Sequence, residues 1–170
     1  MHLSTDRLLL RPLGLGDVDM LIELDGDVEV MRYITGEAST REAVEAGIEE
    51  ALGARWLVFD TADTFLGWVG AVPNAERTEF DIGWRFRRAV WGNGYATEAA
   101  IALVDALFAD GASRVFAETM AVNTPSRSVM ERVGLTYART FHVHFDDPLP
   151  GTELGEVEYE LTRAAWSAGR

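Results

Sequence analysis

The sequence predicts a mixed α/β sheet protein that is largely antiparallel at its start and has one strand–helix–strand crossover in the middle. Residues 56–86 carry three short apolar strands separated by turn residues, which predicts neighbouring antiparallel strands. Residues 96–110 follow with apolar side chains at helical spacing, the stripe of a helix that lies on a sheet. Residues 156–161 alternate strictly between acidic and apolar side chains, as expected for a strand with one solvated face.

Caps and turns set the boundaries of the predicted elements. Ser39–Glu42 is a capping box for a helix that Gly53 ends. Thr124 followed by Pro125 marks the N-cap of a later helix, and Gly134 stops it. The predicted strands are 8–13, 56–59, 65–72, 79–86, 115–120, 137–145 and 156–161. The predicted helices are 17–24, 41–52, 96–110 and 124–133.

Length and composition narrow the function classes. The 170 residues suit a single domain spanning residues 1–170, and apolar runs are too short to span a membrane. The start of the chain carries no secretion signal, so we expect a cytoplasmic protein. With no cysteine, disulfides, cysteine-ligated zinc and a cysteine-linked intermediate are excluded. A net charge of −13 disfavours nucleic-acid binding and favours cationic partners such as a protonated amine.

A glycine-rich turn between a strand and a helix forms the candidate phosphate site. Gly92 and Gly94 allow a tight turn, and the free amides of the following helical turn attract an anion. Arg85, Arg87 and Arg88 lie just before the turn, with no acidic residue between positions 81 and 98. These arginines are therefore candidates to pair phosphates, although solvated surface charges are the alternative.

The same turn has a rival interpretation as a dinucleotide-binding fingerprint. Gly92 and Gly94 precede a helix, and Glu118 lies in the next strand, where a ribose-binding acid is expected. Against this interpretation, Thr97 occupies the third glycine position, and residues 84–88 do not form an apolar buried strand. We therefore keep the phosphate site and disfavour a dinucleotide as its ligand.

Four blocks resemble the GNAT acetyltransferase superfamily, and most of all its branch of ribosomal-protein N-terminal acetyltransferases. These blocks are Phe80–Trp84, Trp91–Ala99, Asn123–Ser126 and Val129–Leu135, and the opening Thr5–Pro12 also matches that branch. The resemblance implies a mostly antiparallel twisted sheet of about six to seven strands with helices on both faces. It implies acetyl transfer from acetyl-CoA to a primary amine, a protein N-terminus or a small amine, by direct attack in a ternary complex without a metal.

The resemblance also implies a binding site for coenzyme A. The family pattern is Gln or Arg, two residues, Gly, one residue, then Gly or Ala; here Trp91, Gly94 and Ala96 occupy the defined positions. Amides of residues 93–97 are then expected to cradle the pyrophosphate, and the pantetheine arm to pair like an added strand beside residues 84–86. The predicted coenzyme-binding residues are Trp84, Arg85, Phe86, Arg88, Trp91, Gly92, Asn93, Gly94, Tyr95, Ala96, Thr97, Asn123 and Ser126.

Acetylation of an amine needs a base for the ammonium and a proton for the leaving thiolate. Glu118 is the first candidate base, because an acid on a central strand among apolar neighbours is expected to have a raised pKa. Asp81 is the second candidate, and a water chain is the third route. Many relatives carry a tyrosine as the acid, but its position here is Met130. Ser126 is the substitute that the resemblance implies, unless its hydroxyl caps backbone amides.

The acceptor site has no chemical signature in the sequence. His142 and His144 share a strand face, as two ligands of a metal would. Because the sequence offers no third ligand, we interpret them as polar acceptor-site or surface histidines. Acidic residues flank two prolines in the segment that follows, at Asp146, Asp147, Glu153 and Glu156. This segment either binds a cationic acceptor or is a solvated hairpin. A non-catalytic acyl-CoA sensor and a homodimer through an unpaired strand edge stay open.

Overall fold

The computed structural model describes residues 1–169. Within them the chain forms the strands β1 Leu3–Ser4, β2 Leu8–Pro12, β3 Arg55–Asp60, β4 Phe65–Pro73, β5 Glu79–Phe86, β6 Arg114–Met120, β7 Thr136–Phe141 and β8 Glu156–Thr162. The α-helices are α1 Val18–Asp25, α2 Val28–Met31, α3 Arg41–Ala51, α4 Tyr95–Ala109, α5 Thr124–Val133 and α6 Arg163–Ala168. Short 3₁₀ turns lie at Leu15–Asp17, Arg88–Val90 and Thr152–Leu154.

The strands form one mixed sheet in the order β1-β2-β3-β4-β5-β6-β8-β7. β5 and β6 pair in parallel, whereas β1–β2, β2–β3, β3–β4, β6–β8 and β7–β8 pair antiparallel. The predicted mixed, mostly antiparallel sheet is therefore confirmed. The sheet has eight strands rather than six or seven, because the two-residue β1 is too short to leave a pattern in the sequence.

Some predicted boundaries were wrong, and the helices α2 and α6 were not predicted. β7 ends at Phe141 rather than at Phe145, because Phe141 pairs with Glu156, the first residue of β8, and among residues 1–169 no partner strand continues beyond that pair. Asn123, not Thr124, is the N-cap of α5, since its side chain accepts a hydrogen bond from the Ser126 amide. Gly134 ends α5 as predicted, at φ +100°.

The chain forms two compact units, which are described separately. The first unit comprises Met1–Gly70 and Trp84–Leu103. Its core joins residues of α1, α3, β3 and β4: the helices turn one apolar face inward, and the two strands are buried on both faces. The buried residues of this core are Leu13, Leu21, Leu24, Val44, Ile48, Ala51, Leu57, Phe59, Phe65 and Trp68. The prediction of a single domain over residues 1–170 stays a prediction.

The second unit comprises Ala71–Gly83 and the chain from Val104 onward. In β8 the residues Val157, Tyr159 and Leu161 are buried, and the Tyr159 hydroxyl lies against α5, where it bonds Glu131. The acidic residues of β8 alternate with them on the opposite face, but the predicted solvated face was wrong at Glu158, which is buried because Arg114 and Arg139 bind its carboxylate there. Along residues 1–169, no helix combines the length and apolar character needed to cross a membrane.

Candidate active site

The loop between β5 and α4 has the backbone conformation that the sequence predicts for an anion site. Gly92 and Gly94 adopt φ values of +77° and +79°, in the left-handed region that favours glycine. Among residues 1–169, no backbone hydrogen bond outside the helix uses the amides of residues 92–97. These amides and the start of α4 are therefore available to hold the oxygen atoms of an anion.

Side chains of the loop bind back to the loop and hold its shape. The Trp91 indole Nε1 donates to the Phe86 carbonyl oxygen at 2.8 Å. Asn93 Nδ2 donates to the carbonyl oxygens of Val90 and Trp91, at 3.0 and 3.2 Å. The side chains of Trp91 and Asn93, both predicted to bind the coenzyme, therefore stabilise the loop by hydrogen bonds to its carbonyl oxygens. The backbone amides of the loop stay available to bind a ligand.

The segment before β2 also reaches this loop, and it was not a predicted part of the site. Glu98, in the first turn of α4, accepts a hydrogen bond from Thr5 Oγ1 at 2.5 Å and from Arg7 Nε at 2.7 Å. Arg7 Nη1 donates to the Asn93 carbonyl oxygen at 3.2 Å, and its guanidinium lies 4.7 Å from the centre of the Tyr95 ring. Burial raises the pKa of Glu98, but the bonds from Thr5 and Arg7 outweigh it and lower that pKa below its usual range.

The arginines before the loop have carboxylate partners within the first unit. Arg85 Nη1 lies 2.6 Å from Asp25 Oδ1, and only 12% of the Arg85 side chain and 10% of the Asp25 side chain are exposed. Arg87 pairs with Glu23, and Arg88 Nε lies 3.5 Å from Asp27 Oδ2. The predicted phosphate contacts of Arg85 and Arg88 stay a prediction, and Arg88 is the more exposed of the two.

A groove of ≈ 400 Å³ lies beside these pairs in the first unit. Its wall combines carboxylates, guanidinium groups and aliphatic side chains, namely Glu23, Leu24, Asp27, Val30, Arg87, Arg88 and Ala89. The groove borders α1 and α2.

The second unit gathers the candidate bases on one face of the sheet. Asp81 pairs with Phe116 in the β5–β6 register, and Glu118 pairs with Glu158 in the β6–β8 register. Because paired residues share a face and every second residue returns to it, Asp81, Glu118 and Glu158 lie on the same side. Glu158 is buried there, and its charge is compensated because Arg114 and Arg139 both donate hydrogen bonds to its carboxylate.

Burial, together with the neighbouring carboxylates, raises the pKa values of Asp81 and Glu118. Asp81 is exposed by surface area, yet the protein atoms around its carboxylate, followed by the charges of Glu118 and Glu158, raise its pKa to about 6. Burial and then the charge of Glu158 raise the pKa of Glu118, and Arg139, whose Nη2 lies 3.7 Å away, opposes the shift. Asp81 is thus poised to take a proton near pH 6, and the raised pKa of Glu118 makes it a better proton acceptor than an ordinary glutamate.

The start of α5 carries the other predicted residues. Asn123 Nδ2 donates to Thr119 Oγ1 at 2.9 Å, while its oxygen caps the helix, so the whole amide is engaged. The Ser126 hydroxyl has no hydrogen-bond partner in the part of the chain that the structure describes, residues 1–169. It does not cap backbone amides and is free to donate a proton. Met130 is 1% exposed.

The predicted acceptor-site residues lie in the segment between β7 and β8. His142 and His144 are exposed, and His144 Nε2 lies 3.8 Å from Asp146 Oδ1. Asp147 and Glu153 are exposed as well. Across residues 1–169, no group of three or more His, Asp or Glu residues is placed to hold a metal ion.

Comparison with known proteins assigns the family. Residues 7–136 match the family model described as the acetyltransferase (GNAT) domain.

The chain belongs to the GNAT acetyltransferases.

It is therefore an acetyltransferase, and acetyl-CoA is its co-substrate.

Two curated relatives are similar to most of this chain. The FsC-acetyl coenzyme A-N(2)-transacetylase of Aspergillus fumigatus is 37% identical over 185 residues, covering 96% of this chain and 77% of that protein. The uncharacterized protein YkkB of Bacillus subtilis is 36% identical over 152 residues, covering 81% of this chain and 87% of its own.

Solved structures share the GNAT fold. A GNAT-family acetyltransferase from Bacillus anthracis superposes with a TM-score of 0.84 at 25% identity, covering 96% of this chain and 99% of that one. RimL, a ribosomal L7/L12 alpha-N-protein acetyltransferase in complex with coenzyme A, gives 0.82 at 16% identity, with 97% and 99% covered. At that identity the likeness to RimL shows the fold alone.

Sequence reasoning missed several residues of this GNAT chain that shape its loop. Thr5 and Arg7 contact Glu98 across more than ninety positions of the chain, with separations of 93 and 91 residues. Asp25 likewise reaches Arg85 only through the fold. No local pattern marks such partners; the acid in the first turn of a helix that should bind an anion was the one available signal.

Proposed function

We propose that this acetyltransferase acetylates a primary amine by direct attack on acetyl-CoA held at residues 92–97. The free amides of that loop, next to the start of α4, are the observation that carries the proposal. They offer donors and a positive dipole end for the pyrophosphate of coenzyme A. The name of the A. fumigatus relative, an N(2)-transacetylase, supports nitrogen as the accepting atom.

Asp81 and Glu118 are the proposed bases. In the reaction the ammonium first loses a proton to a carboxylate, and the amine nitrogen then attacks the thioester carbonyl carbon. A carboxylate with a pKa near 6 is ionised at neutral pH and still accepts a proton better than an ordinary aspartate. Asp81 therefore ranks beside Glu118, which the sequence placed first.

Ser126 is the proposed acid for the leaving group. As the carbon–sulfur bond breaks, coenzyme A leaves as a thiolate that takes up a proton. The free hydroxyl of Ser126 can donate a hydrogen bond that stabilises the thiolate and can relay a proton to it from solvent water, so that the serine itself stays protonated. Met130, at the position of the usual tyrosine, has no proton to give.

The acceptor is proposed to be a cationic amine. The chain carries a net charge of −13, and the exposed carboxylates of Asp146, Asp147 and Glu153 lie in the segment before β8. A protein N-terminus and a small polyamine both fit this charge. A cytoplasmic location and a homodimer remain proposals.

Acetyl-CoA turnover tests the proposal. The purified protein is mixed with acetyl-CoA and a panel of amines that spans N-terminal peptides, polyamines and aminoglycosides, and release of free coenzyme A is followed. Amine-dependent release that Gly94→Trp abolishes supports the proposal. Tight binding of acetyl-CoA without release for any amine would instead favour the sensor function, which the loss of the usual tyrosine permits.

A further inference from the structure

The first turn of α4 contains an acid where the proposed function needs room for an anion. Glu98 lies four residues after Gly94, and its amide bonds the Gly94 carbonyl oxygen at 3.0 Å. An isolated carboxylate at a helix start is favourable, but beside a pyrophosphate it would repel the ligand. The proposed donor site, on which this inference rests, therefore requires that the charge of Glu98 be neutralised.

Arg7 supplies that neutralisation. Its Nε donates to Glu98 Oε2 at 2.7 Å and its Nη2 lies 2.5 Å from the same oxygen, so the guanidinium fork closes on the carboxylate. Thr5 binds the other carboxylate oxygen at 2.5 Å. With both oxygens occupied, Glu98 is held in one orientation and its charge is compensated locally.

The same guanidinium also holds the backbone of the loop. Arg7 Nη1 donates to the Asn93 carbonyl oxygen at 3.2 Å, and a methyl group added at Gly94 would meet Arg7 Nη2 at 3.7 Å. Tyr95 stacks under the guanidinium. One side chain thus contacts a loop carbonyl, the ring that begins α4 and the acid of its first turn.

We propose that Arg7 is a positioning residue of the donor site, which neutralises Glu98 and fixes the 92–97 loop so that the helix start accepts the pyrophosphate of acetyl-CoA. Thr5 assists by holding the second oxygen of Glu98. Arg7 needs no contact with the acetyl group, so its effect is confined to coenzyme affinity.

A double-variant experiment separates this role from a merely structural one. Coenzyme A affinity is measured by calorimetry for the wild type, Arg7→Ala, Glu98→Gln and the two combined. Arg7→Ala leaves one uncompensated charge beside the phosphates and is expected to weaken binding about tenfold. Glu98→Gln alone leaves binding unchanged or tighter, and adding it to Arg7→Ala restores most of the lost affinity.

Kinetics and a matched variant complete the test. In Arg7→Ala the KM for acetyl-CoA rises while kcat at saturating acetyl-CoA and the KM of the amine stay near the wild-type values. Arg7→Lys keeps the charge and retains most of the affinity. Arg41→Ala removes an exposed arginine that pairs with Asp19 and Glu45, and it changes neither kcat nor the KM for acetyl-CoA.

Two results would overturn the inference. Arg7→Ala binding coenzyme A as tightly as the wild type shows that Arg7 does not serve the site. A combined variant that binds as weakly as Arg7→Ala, or more weakly, shows that charge neutralisation is not its role. If the wild type itself fails to bind coenzyme A, the proposed donor site is wrong, and this result is distinguishable from a failure of the Arg7 inference alone.

Discussion

Arg85 and Asp25 form a buried ion pair in the first unit, with Arg85 Nη1 2.6 Å from Asp25 Oδ1. Arg55 lies nearby without a carboxylate of its own in residues 1–169, and its guanidinium stacks 4.4 Å from the centre of the Trp68 ring, which Arg85 approaches at 5.3 Å. Burial, followed by the charge of Arg85, lowers the pKa of Arg55, and Asp25 opposes this. Asp25 therefore balances two guanidinium groups.

Asp25→Ala is expected to lower the free energy of unfolding by about 3–5 kcal/mol, because it leaves buried guanidinium charge unpaired. Urea unfolding followed by circular dichroism measures this change. The matched control is Asp19→Ala, which breaks the exposed pair with Arg41 and should cost less than about 1 kcal/mol. Equal effects of the two substitutions would contradict a special role for the buried pair.

Gly92→Ala is expected to raise the Kd for acetyl-CoA at least about tenfold, since alanine at positive φ forces the loop amides out of place. Gly53→Ala is the matched control, because Gly53 also has φ +77° and nothing within 4 Å of an added Cβ, but it lies at the end of α3. Both variants carry the same backbone strain. Loss of affinity in both, or in neither, would remove the loop from the donor site.

Asp81→Asn is expected to lower kcat about a hundredfold or more if Asp81 is the base. In the wild type, kcat should rise with pH through about 6, as the carboxylate ionises, and that limb should vanish in the variant. Glu118→Gln is measured alongside it. A limb near pH 6 that survives Asp81→Asn but not Glu118→Gln would assign the base to Glu118.

Stability should show the same titration with a defined sign. The folded-state pKa of Asp81 is raised from 3.8 to about 6, so ionisation is less favourable in the folded than in the unfolded chain. The contribution of Asp81 to stability therefore falls as the pH rises from about 4 to about 6 and is constant above that. Asp81→Asn should therefore have a Tm that rises relative to that of the wild type as the pH increases from about 4 to about 6. A Tm difference that does not depend on pH would contradict the raised pKa of Asp81.

Ser126→Ala is expected to reduce kcat about a hundredfold without changing the KM for acetyl-CoA, because it removes a proton donor for the thiolate. Ser128→Ala, on the same helix, serves as the control. Steady-state kinetics with acetyl-CoA and the best amine gives both constants. An unchanged kcat would leave protonation of the thiolate to water.

Neutralising the segment before β8 tests the cationic acceptor. The combined change Asp146→Asn and Asp147→Asn removes two exposed charges and should raise the KM for the amine, with acetyl-CoA binding unaffected. The effect should shrink as salt is added, because exposed charges are screened. Amine kinetics that do not respond at low salt would place the acceptor elsewhere.

Much of the fold could be predicted because its signals are local. The apolar stripe of α4, the cap at Gly134 and the alternation in β8 each follow from backbone geometry within one element. The turn of the glycine loop could be predicted for the same reason, since glycine is the residue that favours the positive φ that Gly92 and Gly94 adopt. β7 was predicted too long, because the end of a strand depends on where its partner stops.

The sequence by itself determined most of the longer elements, the glycine loop and the GNAT family, since these depend on residues that are neighbours along the chain. The tertiary structure decided which acid each charged side chain meets. It paired Arg85 with Asp25 and Arg7 with Glu98. It also raised the pKa of Asp81 by surrounding its carboxylate with protein atoms and then by placing the charges of Glu118 and Glu158 nearby. Electrostatic interactions act through space, so the ionisation of a site depends on partners that folding brings together.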